Sequence, residues 1–407
     1  MDVQTAFLNG KLSEDVYTYQ APGFQKIENS TGQPLVWKLK KSLYGLRQSP
    51  RVWNITIDKD FRHKGFTSTA SDPCVYTKGS GNSYVMLTLF VDDILLTGPS
   101  NKVLQEVRRD LQSSFAMTDL GTATQILGMD IHQDLAKGTI TISQEKYTLS
   151  VLKRYGMIEC NPSHTPGVPS SSSGADHKTS TTGSALLSDA AKKEYQSLVG
   201  SSLIFLINCT RFDIAFATMQ AARLMSSPTE ADLANAKRIL RYLKKRPGLK
   251  LVYKRDSRFE LTCYADASYA NTEGSKSVTG SMVFLCGSLL YFNSQTQRII
   301  AQSTSEAEII GINSVAKHGI YFSSMLGQQS FKLLTDNRSA LSLAATGAHS
   351  NRSRYIRVRY ASLRAWINQG RVALDFVPSR RMLCDVCTKH VSRCVLERLL
   401  DQIANFK

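Results

Sequence analysis

The stretch YVMLTLFVDDILLTG, residues 84 to 98, sets two adjacent aspartates, Asp92 and Asp93, between two apolar runs. A buried, unpaired carboxylate costs several kcal/mol or surrenders its charge, and neighbouring carboxylates also repel, so a cationic partner is expected at this point. Residues Tyr84 to Phe90 and Ile94 to Thr97 are rich in β-branched, aromatic and aliphatic side chains. This composition predicts two strands meeting at Val91-Asp92-Asp93, with the aspartates at a hairpin turn and the strands burying the apolar residues.

Outward from the hairpin, Ser143 followed by Gln-Glu-Lys, apolar Tyr147, Val151, Leu152 and Tyr155, basic Lys153 and Arg154, and then Gly156 predict a capped helix. Residues 161 to 182, NPSHTPGVPSSSSGADHKTSTT, are too poor in apolar side chains to order themselves and read as an exposed linker. Ser227-Pro228-Thr229-Glu230 offers a capping box with proline at the first helical position. Leu233, Ala236, Leu240 and Leu243 then follow at helical spacing up to Pro247-Gly248. The other side of that helix carries Lys237, Arg238, Arg241, Lys244 and Lys245, a face suited to tracking phosphates or to simple solvation.

Past Phe259, FELTCYADASYA presents Asp266, SMVFLCGSLLYF reads as a strand pair, and SFKLLTDN ends in Asp336 after an apolar run. Ser303-Thr-Ser-Glu306-Ala-Glu308 reads as a helix start, and Asp385 lies downstream in LCDVCTKH. Four carboxylates from separate segments are what a two-metal site requires, because ligands must converge on ions about 3.5–4 Å apart.

The chain has 407 residues and 42% hydrophobic content, enough for two or three domains with real cores. Fifty Lys+Arg against 33 Asp+Glu give a net charge of +17, which points to an anionic partner, nucleic acid or an acidic surface. Eight scattered cysteines do not form a secreted disulfide framework, so a reducing compartment is expected. The N-terminal residues lack a signal-peptide pattern, and no apolar run approaches the roughly 18 residues of a membrane span.

The chain resembles the reverse transcriptase and ribonuclease H portion of copia-type LTR retrotransposon Pol polyproteins. The resemblance is carried by DVQTAFLNGKL (2–12), VYTYQAPGF (16–24), VWKLKKSLYGLRQSPRVW (36–53), FVDDILLTG (90–98), DLGTATQILGMDI (119–131), TRFDIAFA (210–217) and AKRILRYL (236–243). It continues in YADASYA, STSEAEIIG, TDNRSAL and the Asp385 segment. It implies an α/β protein: a reverse transcriptase palm over 1–135, a thumb and connection region over 136–255 with a linker at 161–184, an RNase H-like mixed-sheet domain over 256–390, and a C-terminal tail over 391–407.

By the same resemblance, Asp2, Asp92 and Asp93 would be the catalytic aspartates that hold two Mg2+ ions for polymerisation. Phe7 matches the aromatic gate against a ribose 2′-hydroxyl, and Gln48 the residue beside nucleotide and template. Asp266, Glu308, Asp336 and Asp385 match the four acids that hold two Mg2+ ions for hybrid cleavage. Glu308 is preferred to neighbouring Glu306 because it directly precedes Ile309 and Ile310. The implied partners are an RNA template, a DNA primer, RNA–DNA hybrid and dNTPs, with no membrane. The implied location is intracellular, in the cytoplasm or its particles, or in the nucleus.

The family carries a fingers segment ahead of the first aspartate, which this sequence is expected to lack, so polymerisation would need that segment supplied. Where copia-type chains usually read RTKHIDIRYH, this one has RSRYIRVRYA from Arg352 to Ala361, with Tyr355 and Ala361 in place of histidines and Arg357 in place of an acid. That change implies altered hybrid docking or product release. Cys384, Cys387, His390 and Cys394 match no common zinc spacing and enclose Asp385, so they are read as unligated. The alternative to an enzyme is a non-catalytic nucleic-acid-binding or structural protein derived from such an element.

Overall fold

The computed structural model describes residues 1–169, 184–255, 258–346 and 357–404. The chain forms two compact units, Met1–Ala123 and Thr124–Lys407. The first contains β1 (Asp2–Val3), β2 (Tyr17–Tyr19), β3 (Val36–Lys38), α1 (Ser49–His63), β4 (Thr67–Ser68), β5 (Val75–Lys78), β6 (Val85–Phe90), β7 (Asp93–Thr97), α2 (Asn101–Gln112) and β8 (Met117–Thr118). Its sheet runs β4-β5-β6-β7-β1-β8 with antiparallel neighbours, and β2 and β3 form a separate hairpin.

Helix α1 presents Trp53, Ile57 and Phe61 at four-residue spacing, and α2 presents Val107 and Leu111. Both stripes pack on Val85, Leu87, Leu89 and Ile94 of the hairpin expected from the sequence. The apolar run is less buried than expected. Met86 is only half-buried, and Phe90 and Val91 are exposed, so β6 is a one-sided strand whose outward face remains accessible. Asp92 lies in the turn, while Asp93 is already the first residue of β7.

The second unit begins with β9 (Gln125–Ile126), β10 (Met129–Asp134), β11 (Thr139–Ser143), α3 (Glu145–Arg154), α4 (Asp189–Ser197), α5 (Ile204–Ile207), α6 (Ala215–Arg223), α7 (Glu230–Lys245) and β12 (Lys250–Lys254). It continues with β13 (Leu261–Ser268), β14 (Val278–Leu285), β15 (Ser288–Thr296), α8 (Thr304–Met325), β16 (Phe331–Thr335), α9 (Arg338–Thr346), α10 (Arg357–Asn368), β17 (Val372–Phe376), α11 (Asp385–Thr388) and α12 (Arg393–Ile403). One sheet is β12-β11-β10-β9. The other, β15-β14-β13-β16-β17, is mixed, because β13 pairs in parallel with β16 and β16 in parallel with β17.

Residue alternation gives the mixed sheet two apolar faces. Leu261, Cys263, Ala265 and Val283 face a core built with α8, α9 and α10. Met282, Phe284, Leu289 and Phe292 face a larger core that also contains residues of α3, α4, α6, α7, α11 and α12. The regions read as connection and ribonuclease therefore share one core. The stretch read as a C-terminal tail contains α12, whose Leu396, Leu399, Leu400 and Ile403 are buried in it.

Three local readings need correction. Ser143 ends β11 and does not cap α3; Gln144 takes the cap position without a side-chain cap bond. At α7 the cap is Thr229, in a reciprocal capping box with Asp232, and Pro228 precedes it instead of opening the helix. Residues Asn161–Pro169 are not loose linker. Ser163 and Thr165 are buried, the Ser163 N–H donates to Arg241 O (3.0 Å), and Thr165 Oγ1 donates to Gly167 O (2.7 Å). Arg241 donates to Asn161 O (2.7 Å) and Arg238 to Thr165 Oγ1 (3.0 Å), so two cations of the expected phosphate face secure this segment. The rest of the linker reading, from residue 170 to 183, lies outside the described residues, as do residues 352–356 of the altered segment.

Candidate active sites

In the first unit, strand register sets Asp2 beside Asp93, with Asp92 in the adjoining turn. Asp2 on β1 stands opposite Asp93 on β7, and the Asp92 carbonyl accepts the Val3 N–H at 2.9 Å. The turn requires Val91 at φ 56°, a left-handed conformation that β-branched residues seldom adopt. Trp53 Nε1 donates to the Val91 carbonyl at 2.6 Å and fixes the turn from inside the core. Burial, then Asp92, then Asp2 hold the Asp93 carboxyl above its usual range, as expected where negative charges gather.

Phe7 lies on a single 3-10 turn, Ala6–Asn9, and stacks at a tilt on Tyr44 with ring centroids 4.8 Å apart. Gln48 occupies the N-cap position of α1, and its amide donates to Glu14 Oε1 at 3.1 Å.

The acids of the second unit converge more tightly. Asp266 comes from the end of β13, Glu308 from the first turns of α8, and Asp336 from the corner after β16. Among the described residues, these three offer ligand oxygens within 4.8 Å of one another. Asp2, Asp92 and Asp93 do not form such a cluster, and Asp385 stands beside the three at the start of α11, close enough to raise the Asp266 pKa.

The electrostatics are those of an acidic pocket that Lys389 compensates only in part. Burial first, then Asp385, pushes the Asp266 carboxyl up to about 6, against a hydrogen bond donated by Thr388 Oγ1 to Asp266 Oδ2. Burial, then Asp266 and Asp336, pushes Glu308 up to about 9. Glu308 Oε2 is buried with no hydrogen-bond partner among the described residues. Glu306 is engaged elsewhere: its backbone N–H is capped by Ser303, and its carboxylate accepts from the Gln302 N–H at 2.8 Å. Buried, mutually repelling carboxylates with an orphan oxygen fit a hard divalent cation.

The cysteine set does not fit a metal. Cys384 and Cys387 are buried thiols whose pKa values burial raises, Cys384 Sγ donates to Tyr264 O at 3.0 Å, and Cys394 is exposed.

Lys389, Thr388 and Gly280 escaped the sequence reading. Lys389 Nζ pairs with Asp385 Oδ1 at 2.8 Å, and its i,i+4 spacing was a usable signal. Gly280 lies directly opposite Asp266 on β14, and a Cβ there would meet Thr388 Cγ2 at 2.7 Å and Cys384 O at 3.0 Å. Only a glycine lets α11, with Asp385, pack this closely on the strand, and nothing in the local sequence announces it.

Residues 1–169 match the family model described as reverse transcriptase (RNA-dependent DNA polymerase). The chain is 35% identical, over 97% of its length, to the retrovirus-related Pol polyprotein from transposon TNT 1-94 of Nicotiana tabacum, and it spans 30% of that protein. A putative transposon Ty5-1 protein of Saccharomyces cerevisiae is 32% identical over 76% of this chain and 97% of its own length. Among solved structures, a foamy viral protease-reverse transcriptase in complex with double-stranded DNA superposes with TM-score 0.50 at 12% identity, covering 92% of this chain and 56% of that one. That likeness concerns the fold. The sequence matches place the chain in the family of copia-type retrotransposon Pol polyproteins, within their reverse transcriptase portion.

Proposed function

We propose that the chain carries RNA-directed DNA synthesis at Asp2, Asp92 and Asp93, and cleavage of the RNA strand of RNA–DNA hybrids at Asp266, Glu308, Asp336 and Asp385. The observation that supports this best is the meeting of Asp266, Glu308 and Asp336, from three separate elements, with ligand atoms within 4.8 Å. In each site the carboxylates would hold two Mg2+ ions, which when bound supply charge neutralisation and activation of the attacking oxygen in phosphoryl transfer.

The chain's own residues set the conditions for that chemistry. Asp266 and Glu308 would give up protons as the site takes up a cation, because burial first and carboxylate repulsion second raise their pKa values, and a bound cation offsets both. Thr388 orients Asp266, and Asn271 steadies the Thr388 backbone by donating to its carbonyl at 3.1 Å. In the first unit Phe7 would exclude a ribose 2′-hydroxyl, and Gln48 would exchange its bond with Glu14 for one to template or nucleotide. Nucleic-acid partners agree with the net charge of +17. Among the described residues no helix is long and apolar enough to cross a membrane.

The test is a labelled RNA–DNA hybrid with Mg2+ and the purified chain beside its Asp266→Asn variant. Cleavage by the wild type alone is expected, and tight binding without Mg2+-dependent cleavage would overturn the reading. Primer extension on an RNA template, compared with Asp92→Asn, tests the polymerase half.

A further inference from the structure

Lys389 reaches into the acidic pocket, and the proposed chemistry leaves it without a part. It follows α11 directly, one helical turn after Asp385, in an extended conformation, and its N–H donates to the Asp385 carbonyl at 3.2 Å. Its ammonium reaches back to Asp385 Oδ1 at 2.8 Å. The carboxylate is nearly enclosed, with 11% of its side chain exposed, whereas half of the lysine side chain is open to solvent. The inner end of the pair is therefore fixed, and the outer end is free to leave. Asp266 and Asp336 act on the same ammonium, while Arg398 acts on Asp385 less strongly than Lys389 does.

An ammonium and a divalent ion are both hard cations that seek the same carboxylate oxygen, and a lysine on a flexible four-carbon stem can yield where a rigid arginine fork would hold. We propose that Lys389 is a tethered placeholder cation: it holds Asp385 in position while the pocket lacks a divalent ion and competes with that ion for the carboxylate. It is a positioning residue that sets the metal concentration at which the site fills. The inference rests on the reading that this acidic pocket takes a divalent cation.

The experiment uses the full chain with Asp92→Asn and Asp93→Asn, so that the second pocket dominates the response, and titrates Mg2+ alone while following Tm. Lys389→Met is expected to lower the metal-free Tm and to reduce the Mg2+ concentration for half-maximal stabilisation roughly tenfold, since a nearby positive charge is gone. Lys389→Arg, which keeps the charge and adds a fork, is expected to raise that concentration about threefold. If Lys389→Met does not fold, the Lys389→Arg shift decides the matter. Mg2+ stabilisation unchanged in the folded variants would overturn the placeholder role and leave the acidic site standing. No Mg2+ stabilisation of the parent chain would overturn both.

Discussion

Gly280 and Asp266 face each other across the β13–β14 pair, and the space above the glycine is filled by Thr388, the residue that donates to Asp266. Gly280→Ala would push the whole of α11 outward, because both a side chain and the Cys384 carbonyl stand where the new methyl must go. Overpacking of this kind costs about 1–3 kcal/mol. The expected outcome is a Tm lower by several degrees with the far-ultraviolet circular dichroism retained, and hybrid cleavage reduced far more than the stability loss explains.

The acidic pocket makes the metal-free protein sensitive to alkali. Asp266 and Glu308 titrate near 3.8 and 4.5 when unperturbed but near about 6 and about 9 in the fold, so the folded state binds more protons than the unfolded one. Their stability contribution is complete below about pH 4 and is lost as pH rises through about 6 for Asp266 and about 9 for Glu308. Calorimetry without divalent ions should show Tm falling between pH 5 and 9. Glu308→Gln should flatten that fall and exceed the wild type at pH 9. Coincident profiles for the two proteins would contradict the assignment.

Arg211 and Asp213 form a fully buried, two-bond ion pair, with Nε to Oδ1 at 2.9 Å and Nη2 to Oδ2 at 2.8 Å. Arg211→Met would strand the Asp213 charge in the large core, and removing one partner of such a pair costs about 3–5 kcal/mol. The double variant Arg211→Met/Asp213→Leu should recover most of that loss in urea denaturation. A single-variant loss below about 1 kcal/mol would mean that the pair is not buried in solution.

Val91 pays for the aspartate turn with a left-handed backbone while the residue is 40% exposed. Val91→Asn should therefore stabilise the first unit by about 1 kcal/mol. Trp53→Phe, which leaves the Val91 carbonyl without its donor, should destabilise it by about 1 kcal/mol. Chemical denaturation of the two variants reads both signs, and a loss of stability in Val91→Asn would argue against strain at the turn.

The hairpin, the long α7 and the order of strands around Asp266 and Asp336 were legible because each is written in local periodicity: alternating residues in β13, and Leu233, Ala236, Leu240 and Leu243 in α7. Glu308 was separable from Glu306 by its apolar neighbours, and the structure brings it to Asp266 and Asp336. What stayed hidden depends on contacts distant in sequence. Residues Asn161–Pro169 look unstructured by composition, yet Arg238 and Arg241, more than seventy residues away, hold them. The cap of α7 lies two residues past the expected one because Ser227 and Thr229 are equally good candidates on paper, and only the reciprocal bond with Asp232 decides between them.

The core shared by α3, α4, α6, α7 and the mixed sheet has a consequence for anyone cutting this polypeptide. A clone started at residue 256 would strip Met282, Phe284, Leu289 and Phe292 of their cover and leave an oily sheet face in water. The mixed-sheet region is thus not a portable cassette: its severable boundary lies near Thr124, and the helices that look like a passive spacer are its lining.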